Sequence, residues 1–152
     1  MDPSLRMLVT LLPEIVLVGV ATFLFLASAF ARRDSNWTMV ALLGLAMSGL
    51  LLGFVNWPSL TERQFAGVAA PFPSGLVALD ALSLGVRILT VFSGIVLVGA
   101  GSFGGGRRLS GEYLCCLLMA VAGVMLASDS MDIVLVFLGL ELISIHTYDL
   151  LF

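Results

Sequence analysis

Five long apolar runs, separated by short polar stretches, set the pattern of this chain: residues 7–31, 37–55, 80–101, 112–128 and 131–152. An apolar helix of about 20 residues crosses a hydrocarbon core of roughly 30 Å. The pattern predicts an all-α, polytopic membrane protein with five transmembrane helices, forming one membrane domain over residues 1–152.

The punctuation between the runs supports that reading. Pro13 falls in the first turns of the first run, where a proline costs a helix least. Trp37 and Trp57 stand near the two ends of the second run, as interfacial tryptophans do. Gly44, Ser48 and Gly49 offer that helix a face for close packing. Asn56 to Leu79 holds Pro58, Pro71 and Pro73 and reads as an irregular loop. Asp80 opens the third run, where a carboxylate suits the helix N-terminus. The fourth run is the shortest: only the 15 residues Tyr113 to Ala127 are free of charge, so it borrows polar flanks or lies partly in protein. Ser128-Asp129-Ser130 then reads as a tight turn that pairs the last two runs as an antiparallel hairpin, with Asp132 in the first turn beyond it. The first run is too long for a signal-peptide core and carries Glu14, so it is expected to be retained.

Composition agrees with the pattern. Of 152 residues, 60% are hydrophobic and 11% charged, more apolar surface than a soluble domain of this size can hide. The net charge of −3 comes with no basic tract, which argues against nucleic acid as a partner. All seven basic residues are arginines. Cys115 and Cys116 are adjacent, so on a helix they point apart and suit packing better than a disulfide or a metal. Gly104-Gly105-Gly106 lacks the GK[ST] that a phosphate loop needs. No nucleophile–base pair, cofactor loop or metal set is visible, so no catalytic centre is expected on this chain.

The residue that matters most is Glu141, near the middle of the last run. A carboxylate at mid-bilayer costs at least ~2.5–3.5 kcal/mol and normally faces protein or water in the service of transport. Its candidate role is proton transfer; the plainer alternative is a protonated group bonded to a neighbouring helix. At ~100° per residue, Ser144, Ile145 and Tyr148 share its face, and Gly139 admits a close backbone. Glu14, Arg87, Ser144, His146 and Tyr148 are the further candidates for a proton route. Each has a structural alternative. Glu14 suits an interface anchor at a helix start. Arg87 either snorkels to the surface or faces protein and perturbs a carboxylate. His146 and Asp149, three apart, suit local pairing near the second interface, or a polar exit from mid-membrane.

Orientation follows from arginines. Arg32, Arg33, Arg107 and Arg108 flank the loops after the first and third runs, against Arg6 and Arg63 on the other side. The positive-inside rule puts the N-terminus outside and, with five spans, the C-terminus in the cytoplasm.

The stretches LLPEIVLVG (Leu11 to Gly19), DALSLGVRIL (Asp80 to Leu89), GEYLCCLLMAVAGVMLAS (Gly111 to Ser128) and above all FLGLELISI (Phe137 to Ile145) resemble subunit N of the proton-pumping NADH-quinone oxidoreductase, respiratory complex I. The resemblance runs in order along nearly the whole chain. It implies the N-terminal part of an antiporter-like helical bundle in the bacterial inner membrane, with other membrane subunits of the complex and the bilayer as partners. It also implies that Glu141 is the fifth-helix glutamate, which pairs with a lysine on a later, broken helix. NADH, FMN, iron–sulfur clusters and quinone are expected on other subunits, and no cofactor on this one. The family usually shows proline where His146 stands and no acid at Asp149, so a truncated or frameshifted end, or a fragment, is expected. Because Arg87 does not release its proton, and a pump needs two coupled titratable sites, the chain alone is not expected to pump. Two other readings stand beside this one: a subunit of a multisubunit sodium/proton antiporter, and a non-pumping packing module.

Overall fold

The computed structural model describes residues 8–30, 36–65, 81–103, 109–130 and 132–151. Five helices follow one another: α1 (Leu12–Phe30), α2 (Trp37–Phe65), α3 (Ala81–Phe103), α4 (Gly111–Asp129) and α5 (Ile133–Leu151). Residues 8–10 are also helical, with a turn at Leu11 before α1. Pro13 has no N–H to give the carbonyl four residues back, which suits an interruption at that point.

Four stretches among the described residues are long and apolar enough to cross a membrane: Leu12–Phe30, Trp37–Val55, Leu82–Ser102 and Gly111–Asp129. The chain is an all-helical polytopic membrane fold. Among the described residues the expected five spans become four, because α5 is not one of those stretches.

Two boundaries differ from the sequence reading. Helix α2 runs on to Phe65 rather than ending at Val55. The stretch read as loop, Ser59 to Phe65, contains Leu, Glu, Arg and Gln, all good helix formers, so the helix resumes past the one bond lost at Pro58. Helix α4 includes Asp129, which was read as part of the turn. The remainder of the expected loop (residues 66–79), Asp80 at the start of the third run, and Gly104 to Arg108 lie outside the described residues.

Helix α4 is the hub. It packs against all four other helices, whereas α5 leans chiefly on α4. Local capping fixes its ends: the Ser110 hydroxyl accepts from the Tyr113 N–H at 3.2 Å, and Ser130 beyond Asp129 is extended. Asp132 lies just ahead of α5 and caps it, its carboxylate accepting from the Val134 N–H at 3.0 Å. The core gathers Leu17, Ala21 and Leu24 of α1, Ala41, Leu45 and Leu52 of α2, and Leu114, Leu118, Val121 and Met125 of α4. These positions recur at three-, four- and seven-residue steps, the spacing of one helix face.

Apolar side chains gain little by leaving lipid for protein, so helices in a membrane associate through close packing at small residues. A methyl group built on Gly139 would lie 2.9 Å from both the Ala127 Cβ and the Gly123 carbonyl oxygen, so α4 and α5 meet backbone to backbone. Large apolar side chains face outward, Phe30, Phe54 and Ile133 each more than four-fifths exposed.

Candidate functional site: a buried charged cluster and an outward glutamate

The up-and-down path of the chain brings the start of α1, the start of α3 and the end of α4 to one end of the bundle. Each brings a charged side chain there. Arg87 of α3 has no exposed surface, Glu14 of α1 is 5% exposed and Asp129 of α4 is 1% exposed. The guanidinium forms ion pairs with both acids, directly through Nη2 to Glu14 Oε1 and with Nη1 2.6 Å from Asp129 Oδ2. Nη2 also donates to the Thr10 carbonyl at 3.1 Å. Ser83, one turn before Arg87 on the same face of α3, donates its hydroxyl to Asp129 Oδ1.

Burial of an arginine is tolerated only when its charge and its N–H groups are answered. Here the answer is incomplete. Glu14 Oε2 and Arg87 Nε are buried without a hydrogen-bond partner. The Nη1–Oδ2 contact is close enough for an ion pair but is not aligned as a hydrogen bond. The cluster therefore holds one fixed positive charge, two carboxyl groups and unused hydrogen-bonding capacity within a few ångströms.

Of the two roles open to Arg87, the structure shows the one facing protein beside a carboxylate. Glu14 is its partner rather than an interface anchor. Asp129 and Ser83 were missed by sequence reasoning, because Asp129 was assigned to a turn and Ser83 looked like any small polar residue in a helix. A signal existed. An arginine two turns inside an apolar run needs acids at its own depth, and an alternating path puts Glu14 and Asp129 there.

Glu141 sits elsewhere. It is eight residues into α5, about 12 Å along the helix from Ile133. Glu141, Ser144, Ile145 and Tyr148 are all exposed, whereas Gly139 is buried against α4. The glutamate therefore points away from α4, and Glu14 and Arg87 belong to a different part of the bundle from it. His146 is half-buried, and its Nδ1 donates to the Leu142 carbonyl at 2.7 Å, a bond to its own helix rather than to Asp149. Both cysteines are free. Among the described residues no group of three or more His, Cys, Asp and Glu gathers as a metal site.

No protein-family model and no solved structure matches this chain. Curated proteins do. The NADH-quinone oxidoreductase subunit N of Anoxybacillus flavithermus is 28% identical over 141 residues, covering 91% of this chain and 27% of that protein. The NADH-quinone oxidoreductase subunit N 1 of Solibacter usitatus is 31% identical over 146 residues, 90% of this chain and 27% of that protein. The NAD(P)H-quinone oxidoreductase subunit 2 of Trichodesmium erythraeum is 28% identical over 142 residues, 91% of this chain and 26% of that protein. The chain thus spans about a quarter of the length of the curated relatives it matches.

Proposed function

We propose that this chain is part of a proton-translocating membrane-arm subunit of an NADH-quinone oxidoreductase, and that it supplies Glu141 to a proton half-channel. The observation that carries the proposal is the similarity to subunits of that name, along nine-tenths of the chain and in several bacteria. Two physical features support it. Helix α5 packs backbone to backbone on α4, itself a candidate span, which sets Glu141 beside the membrane-crossing helices. On that helix Glu141 stands on an exposed face with Ser144 and Tyr148, amid Phe137, Leu138 and Leu140. A carboxyl group on such a face is too costly to leave against acyl chains and calls for another protein surface. That surface belongs to other helices of the same assembly, and the NADH and quinone chemistry to other subunits. The setting is a bacterial inner membrane, with the N-terminus outside.

The test is a hybrid. In a bacterium lacking its subunit N, the matching region of that subunit is replaced by this chain and NADH-driven proton uptake is followed in inverted membrane vesicles. Assembly of the complex with proton uptake, and loss of most of that uptake in Glu141→Gln while assembly persists, is the expected result. A hybrid that assembles and pumps equally well with Glu141→Gln would refute the role given to Glu141.

A further inference from the structure

The buried cluster has an odd charge count. One guanidinium stands between two carboxyl groups, all three with 5% exposure or less. With every group ionised, one negative charge is left over among helices apolar enough to cross a membrane. An unpaired ion withdrawn from water is strongly disfavoured. Among the residues whose side chains are described, no other restores the balance. Glu14 is the one charged residue of α1 and Arg87 the one of α3. Helix α2 has none between Trp37 and Val55. On α4 the other acid, Glu112, lies at the opposite end of the helix. Asp132, ahead of α5, is itself acidic and caps its own helix.

We propose that the Glu14–Arg87–Asp129 cluster is a proton-binding site, holding one resident proton on Glu14 Oε2. The geometry selects the atom. Asp129 Oδ1 accepts from the Ser83 hydroxyl, and Oδ2, although it has no aligned hydrogen bond, faces the guanidinium with Arg87 Nη1 2.6 Å away. Glu14 meets the guanidinium through Oε1 alone, and Oε2 is buried without a partner. An ionised carboxylate oxygen can only accept, so a bare buried Oε2 is the weakest point of the cluster. One proton taken up from water there leaves Arg87 positive, Asp129 negative and Glu14 neutral, and Oε1 still accepts from Nη2. Because Asp129 ends α4 and Thr10 precedes α1, the proton exchanges with the membrane face at which α1 begins. The site is separate from Glu141, and its charge and geometry are independent of any relation to respiratory subunits.

The test is infrared spectroscopy of the chain in lipid nanodiscs at neutral pH, reading the C=O stretch of neutral carboxyl groups. The wild-type spectrum minus that of Glu14→Gln shows one such band, moved by deuterium exchange and by ¹³C-carboxyl glutamate. Asp129→Asn removes the same band, because the remaining Glu14–Arg87 pair is already balanced; a proton held for any reason other than charge balance would survive that change. A neutral Glu141 contributes a band that persists in both variants. The proposal fails if neither variant loses a band, or if the lost band follows ¹³C-aspartate. It also fails if sodium chloride raises the thermal unfolding temperature of the wild type above that in choline chloride, and does not do so for Asp129→Asn, since a metal ion would then be the ligand. If Glu14→Gln does not fold, the isotope labels and Asp129→Asn carry the test.

Discussion

At the scale of single residues, Arg87 is the side chain on which the most depends. It ties α1 to α3 through Glu14 and the Thr10 carbonyl, and α3 to α4 through Asp129. Removing one member of a buried ion cluster leaves the others without compensation, at a typical cost of about 3–5 kcal/mol. Arg87→Met is therefore expected to destabilise the chain by that order, read as a loss in denaturant-unfolding free energy in detergent. Adding Glu14→Gln and Asp129→Asn to Arg87→Met returns most of it, because a neutral trio has no ion to strand. A triple variant no more stable than the single would show that Arg87 acts through shape rather than charge. The sequence exposed Glu14 and Arg87 as oddities, each in an apolar run, but not as partners. Pairing depends on which helix ends share a level, and that becomes visible only once the chain is threaded up and down. Asp129 was hidden by two serines that made it look like a turn.

At the scale of the elements, α4 organises the bundle and the glycines set its distances. Gly139 was legible as a point of close approach, because a side chain reduced to hydrogen in an apolar helix has few other uses. Its counterpart Gly123 was not, since a glycine among alanines and valines carries no periodic mark. Gly139→Leu drives a bulky side chain into Ala127 and the Gly123 backbone. Overpacking of this kind costs typically about 1–3 kcal/mol. The expected outcome is faster proteolysis of α5, with α1 to α4 still protected; equal protection of α5 in the variant would show that the helix pair tolerates separation. The end of α2 was misread for a local reason. A proline signals a break, yet the residues after Pro58 favour the helix strongly enough for it to continue to Phe65.

At the scale of the whole molecule, the apolar pattern located the helices because length and hydropathy are properties of the chain itself. It counts five spans, where four meet that standard among the described residues. Orientation is written in the arginines rather than in the packing. On the proposed orientation, which the positive-inside rule draws from arginines such as Arg107 and Arg108, alkaline phosphatase fused after Arg108 is expected to be inactive, and green fluorescent protein at the same site fluorescent. The opposite pair of signals would invert the bundle, and would move the Arg87 cluster to the cytoplasmic face.

The outward direction of Glu141 has a practical corollary. Nothing in the interior of this bundle leans on that carboxyl group, so its replacement by glutamine leaves the melting behaviour of the isolated chain unchanged. Genetics can thus treat position 141 as a clean reporter: a defect there speaks for what the finished machine does, whereas a defect at position 87 speaks first for whether the part was built.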